Sequence, residues 1–283
     1  MNSRERINAA LAHREGDRIP LDLGGCGQTG MHATTVYALR QALGLDAPGT
    51  PVKVIEPYQM LGEIGPDLQD RLGVDVVGLA TPGTLFGFNN EDWKPWTFWD
   101  GTPLLVPGKF NTEPDANGDL LMYVDGDKSA PPSAKMPGGG FYFDSLIRQE
   151  PIDDASLDPA DNASDYGPIS EADLAHLRVE SERLYNETDR ALMMVLGGAG
   201  FGDIALVPGP WVKHPRGIRD VAEWYMSTVT RKDYIAAVFD QQCEVALANL
   251  PRVYEAVGDR VTVAWISGTD FGSQNACFIS PKA

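Results

Sequence analysis

The sequence predicts an α/β fold in which a parallel sheet is flanked by helices, and three observations point there. Short apolar runs rich in β-branched residues, such as Val74–Leu79 and Val261–Ile266, alternate with longer stretches of helical periodicity. Hydrophobic residues make up 43% of the 283 positions, enough to bury the core of one large domain or two ordinary ones. No short internal repeat is visible. An open doubly wound sheet and a closed barrel both satisfy this pattern.

The elements follow in order. Ser3 is placed to cap an opening helix whose apolar positions Ile7, Ala10 and Leu11 recur at helical spacing, with Gly16 as its stop. Ile19–Leu23 reads as a first strand, with Pro20 near its start, and it runs into Gly24 and Gly25. A helix is expected over His32–Leu43, an apolar run over Val52–Ile55, a helix over Met60–Leu72 and a buried strand over Val74–Leu79. Between residues 87 and 148 the alternation breaks into short pieces, among them Leu104–Val106 and Leu120–Val124, with Asn117-Gly118 as a hairpin turn. Trp93, Trp96, Phe98 and Trp99 cluster there. This stretch reads as an inserted β-rich lid or interface element.

An acidic loop over Asp153–Asp165 precedes a helix from Ser170 to Thr188, a strand at Ala191–Leu196 and the glycines Gly197, Gly198 and Gly200. Helical periodicity resumes over Ile218–Thr228 and Lys232–Val257, with Pro251 expected to kink or break the second run. Val261–Ile266 is the last strand. Ser280-Pro281 is a helix-start signal with only two residues after it, so the chain reads as truncated at its C-terminus.

Composition narrows the function classes. Lys and Arg total 23 against 40 Asp and Glu, a formal charge of -17 that repels nucleic acid and anionic lipid. The charged N-terminus lacks the apolar stretch of a signal peptide, and no window approaches the roughly 18 apolar residues of a membrane span. Cys26, Cys243 and Cys277 are too few and too widely spaced for a disulfide framework or a metal knuckle. A cytoplasmic protein without nucleic-acid or membrane partners is expected.

Several motifs bear on chemistry. Gly25-Cys-Gly-Gln-Thr-Gly30 matches the dinucleotide fingerprint between a strand and a helix, but Glu56 lies too far on to be its acidic partner, which favours a glycine-rich loop at a strand exit. Asp22 sits at the carboxyl end of the first strand, where a barrel presents polar groups to substrate; a bond to a neighbouring backbone amide or a buried ion pair is the competing role. His32 opens the next helix, as a substrate donor or as a cap. Cys26 between them reads as packing. After the last strand, Gly268-Thr-Asp270-Phe-Gly272-Ser-Gln274-Asn275 places a carboxylate and two amides on an exit loop, although an Asx turn also explains Asp270. Lys213-His214-Pro-Arg216 is a small basic cluster that reads as a solvated turn. Asp22, His32, Asp270 and Gln274 are the candidate catalytic residues.

Ser3–Ile7 with His13–Pro20, the Leu72–Val77 segment, the hairpin insertion ending near Met136–Gly139, and Asp270–Gln274 with Ile279–Pro281 together resemble the uroporphyrinogen decarboxylase-like superfamily, which includes cobalamin-dependent methyltransferases. The resemblance spans essentially the whole chain. It implies a (β/α)8 TIM barrel, here a single incomplete domain over residues 1–283 that carries the β-rich insertion at 87–148 and is truncated at its C-terminus. It also implies a site at the carboxyl mouth of the barrel.

The decarboxylases of the superfamily hold an eight-carboxylate macrocycle with arginines after the first strand and an aspartate after the next. Here Gly24–Gly30 contains no arginine and Val77–Pro82 no aspartate, which disfavours that reaction. The methyltransferases bind zinc through a His-x-Cys pair and a later Cys, and the metal activates a thiol or a methyl donor. This sequence has no His-x-Cys, and the resemblance implies that those ligands would lie beyond Ala283. The expectation is therefore a parent enzyme that uses zinc and a corrinoid (methylcobalamin) to transfer methyl to or from a small methylated compound or thiol, with a corrinoid protein as partner. The chain itself is expected to be inactive. Uroporphyrinogen decarboxylation and a non-catalytic binding barrel are the alternatives.

Overall fold

A computed structural model describes residues 1–163, 166–196, 203–266, 272 and 274–280. In chain order the described elements are α1 (Ser3–Leu11), α2 (Ala33–Ala42), β1 (Val52–Glu56), β2 (Leu61–Gly62), α3 (Pro66–Leu72), β3 (Val76–Leu79), β4 (Lys94–Thr97) and β5 (Pro103–Val106). They continue with β6 (Glu113–Pro114), β7 (Leu120–Met122), β8 (Ala134–Met136), β9 (Asp144–Ser145), α4 (Ala160–Ala163) and α5 (Glu171–Glu187). The remainder are β10 (Ala191–Val195), α6 (Val221–Thr230), α7 (Lys232–Val257) and β11 (Val261–Trp265).

The expected (β/α)8 barrel is not formed. Among the described residues the strands make three small sheets, ordered β2-β1-β5-β4, β11-β10-β3 and β6-β7-β8-β9, and none of them closes on itself. Only β3, β10 and β11 form a parallel sheet of the predicted kind, with Val76 opposite Ala191 and Leu192 opposite Val261.

Two departures explain why. The segment expected as a first strand is not one: Leu21 takes a single backbone bond, from Asp75 N to its carbonyl at 2.7 Å, while its own amide is bound by the Asp75 side chain. The Val52–Glu56 strand does form, but its partner is β5, parallel, with Val52 opposite Leu104, and β4 then adds antiparallel to β5. Pairing with β5 buries Val52 and Val54 with Leu104, Val106 and Phe98 in the largest apolar cluster of the chain. Each such side chain contributes about 1.5–3 kcal/mol of transfer free energy, which favours the pairing of β1 with β5.

The β3-β10-β11 sheet is covered on one face by α5 and α7, whose Leu174, Leu177, Leu184, Val253 and Ala256 pack on Leu79, Leu192 and Met194. Ile7 of α1 packs near Val76 and Ala191 in a smaller cluster. Local signals set the helix ends. Asn2, not Ser3, caps α1: its side chain accepts from Glu5 N at 2.8 Å and the Glu5 carboxylate takes Asn2 N at 2.9 Å. Ser170 caps α5. Helix α7 runs unbroken through Pro251, which is exposed and leaves only the Leu247 carbonyl, one turn back, without its helical donor.

Candidate functional site

Leu79 and Val195 end two neighbouring parallel strands, and the chain beyond them opens a cleft of about 450 Å3. Its base is Leu79, Met194 and Val195, one wall is Gly25–Gly27, and the other comes from α5 and α7 through Leu177, Asn249 and Val253. This is where α/β proteins place ligands, because strand ends leave backbone groups and side chains unpaired by the sheet.

The glycine loop forms this wall by lying directly on β3. A Cβ on Gly78 would come within 2.8 Å of the Gly25 carbonyl oxygen, and one on Gly25 within 2.8 Å of Val76 Cγ1. The glycine spacing therefore serves close backbone approach. Asp22 Oδ1 accepts from Gly25 N at 3.0 Å and holds the turn; it is not a lining residue of the cleft. Of its two sequence readings, the backbone bond is the one formed. Cys26 lines the cleft, half-buried, with Sγ 3.8 Å from Thr29 Oγ1.

His32 faces a different space. It caps α2, its Nδ1 accepting from Thr34 N at 3.3 Å, and its Nε2 lies 2.8 Å from the carbonyl oxygen of Phe141. The first bond makes Nδ1 the acceptor, so Nε2 carries the proton and donates it to Phe141. Burial depresses the imidazole pKa below its usual value, against the opposing pull of the Phe141 carbonyl and the nearby Asp100 charge. Gln274 is exposed, and Asp270 lies outside the described residues. The four candidate residues are thus not brought together among the described residues.

The cleft holds polar groups that the sequence reading missed. Asn249 is buried, its Oδ1 accepting from Ile169 N at 2.9 Å and its Nδ2 donating to Gly167 O at 3.0 Å. His176 Nε2 lies 3.1 Å from the Ala80 carbonyl oxygen, tying α5 to the exit of β3. A signal for Asn249 was present: Gln242, Ala246, Asn249, Val253 and Ala256 form one helical stripe, and amides within an apolar stripe mark buried hydrogen-bonding sites.

The basic cluster near residue 214 is engaged by acids. Lys213 Nζ lies 2.9 Å from Asp127 Oδ2, and Arg216 Nε 3.4 Å from Asp161 Oδ1. Among the described residues no group of three or more His, Cys, Asp or Glu could hold a metal. Cys26 is half-buried while Cys243 and Cys277 are exposed, so the described residues do not fit zinc. The cleft has the dimensions of a small-molecule site. Comparison with family models, with curated proteins and with solved structures finds no match.

Proposed function

We propose that the chain binds a small, largely apolar organic substrate in the β3–β10 cleft and belongs to an enzyme of the methyltransferase branch of the uroporphyrinogen decarboxylase-like superfamily. The substrate is a small methylated compound or a thiol, and the second methyl carrier is a corrinoid borne on a separate protein. One observation favours this over the decarboxylase: among the described residues none that lines the cleft is Lys or Arg, and Asp173 is the only carboxylate. A substrate with eight carboxylates would lose its hydration there without a cationic partner.

Zinc enters no step here, because no group among the described residues fits the metal. What the chain supplies is positioning: apolar surface from Leu79, Met194 and Val253, and a wall fixed by the two hydrogen bonds of Asn249. No helix among the described residues is long and apolar enough to cross a membrane. We assign the protein to the cytoplasm, in keeping with its three unpaired cysteines.

The test is ligand-induced thermal stabilisation across small thiols and methylated compounds, beside uroporphyrinogen. Saturable binding of a thiol or methylated compound, lost when Met194→Trp fills the cleft, is expected. Carbon dioxide release from uroporphyrinogen, or no binding in either small-molecule class, overturns the proposal.

A further inference from the structure

A second cavity, of about 550 Å3, lies between the start of α2, the β1–β2 turn and the segment joining β8 to β9. It is lined by the rings of His32, Tyr58, Phe141 and Tyr142 and by Asp144, and among the described residues none that lines it is Lys or Arg. Phe141 and Tyr142 are 57% and 55% exposed, unusual for large rings on a backbone this firmly held.

The backbone is held from both sides. The Phe141 carbonyl accepts from His32 Nε2, Phe143 N donates to the Tyr58 carbonyl at 2.8 Å, and the Phe143 ring is fully buried. The His32 ring stands edge-on to Phe98 and Phe141, with centroids 5.1 and 5.6 Å away. The Phe141 face of the cavity is therefore fixed in place before any ligand arrives, which lowers the ordering cost of binding.

Charge decides what such a wall accepts. Among the described residues Asp144 forms no ion pair, and its cross-strand neighbour Lys135 is engaged by Asp119 at 2.8 Å. Asp100 adds a second negative charge near His32, which itself carries none in its capping tautomer. Burial raises the Tyr58 hydroxyl above its usual pKa, and the negative charges of Asp144 and Glu56 add to that effect. Ring faces attract cations through their quadrupole, and carboxylates beside them reinforce the attraction.

We propose that this cavity is a binding site for a small alkylammonium cation, held by the rings of Tyr58, Phe141 and Tyr142 and by the Asp144 carboxylate. The site is separate from the β3–β10 cleft and does not rest on the function proposed there.

Choline is the probe, with 3,3-dimethylbutan-1-ol, its neutral carbon isostere, as control, each titrated calorimetrically into the whole chain. The expected result is saturable one-to-one binding of choline. The isostere, and choline on Tyr142→Ala and Asp144→Asn, should each bind at least about tenfold more weakly. Both substituted side chains are exposed, and unchanged melting temperatures show that the fold survives. Equal binding of the isostere, no saturation at the highest soluble choline concentration, or full affinity in both variants overturns the proposal. Met194→Trp should leave choline binding intact; loss of binding there would put choline in the other cleft and overturn the assignment.

Discussion

Arg6 Nη1 lies 2.5 Å from Asp75 Oδ1, joining the first helix to the residue that precedes β3 by one position. Asp75 is fully buried and also accepts from Arg18 Nη1 and Nη2 at 2.7 and 2.9 Å and from Leu21 N at 2.9 Å. Burial alone would raise this carboxyl. The Leu21 amide, Ser3, Arg18 and Arg6 outweigh it, so its pKa in the folded protein lies below the usual value.

A carboxyl with a depressed folded pKa stabilises above its unfolded pKa, about 3.9, and that stability is lost as pH falls through the lower folded value. Asp75→Asn is therefore expected to cost about 3 kcal/mol at neutral pH, because the buried Arg6 keeps only Asp17 as a charge partner and the exposed Arg18 loses its carboxylate. Urea unfolding at pH 7 and at pH 3 checks this, with the difference between variant and wild type shrinking at the lower pH.

His32 shifts stability in the same direction as Asp75, but in a window nearer neutral pH. Its folded pKa is depressed, so the neutral ring is the form the fold favours, and protonation removes the acceptor that Nδ1 offers to Thr34 N. The stabilisation is fully present above the unfolded pKa of about 6.5 and declines below it, toward the folded pKa. His32→Ala should cost about 1 kcal/mol at pH 7.5, as loss of an N-cap does. Its melting temperature should fall less than that of wild type between pH 7 and pH 5. Heteronuclear NMR of the ring should show the Nε2–H tautomer.

Gly78 and Gly83 separate close approach from mere flexibility. Gly78→Ala would drive a Cβ against the Gly25 carbonyl, whereas a Cβ on Gly83 meets nothing within 4 Å. The first substitution should cost about 1–3 kcal/mol and reshape the cleft, since backbone must move to admit the methyl group. The second should be nearly neutral. Chemical denaturation of both variants, with ligand binding in the β3–β10 cleft as the second measurement, tests the contrast.

Asn249→Ala leaves Ile169 N and Gly167 O without their side-chain partner on a buried helix face. The expected cost is about 1–3 kcal/mol, with faster amide exchange at Ile169. Asn249→Asp keeps the acceptor for Ile169 N but not the donor to Gly167 O, so exchange at Ile169 should stay slow while stability still falls.

The parts of this architecture that could be read in the sequence are those set by local periodicity. Helix α5 and strands β3, β10 and β11 coincide with their apolar patterns to within a residue or two. The assembly of strands could not be read in the same way. Whether Val52 pairs with a neighbouring βα unit or with Leu104 depends on which surface buries more apolar area, and alternation along one segment does not record that. At the sites, Asp22 and His32 were visible as polar residues near a strand exit, but their short reach to Gly25 N and Thr34 N made turn and cap the roles they filled. Asp270 falls outside the described residues, and Asn249 was marked only by its place as an amide in the apolar stripe of its helix.

The pairing of Val76 with Ala191 has a consequence for synthesis. On the ribosome β3 emerges long before β10, while β1, β5 and β4 are complete and can already close the aromatic core around Phe86, Phe98 and Phe110. Until residue 191 is made, Val76 and Leu79 lack the strand that covers them, so pairing across that span should limit the rate of folding. A nascent chain halted between these points would carry a formed aromatic half and an open strand edge, the combination that chaperones bind and that pairs with other copies when they are scarce.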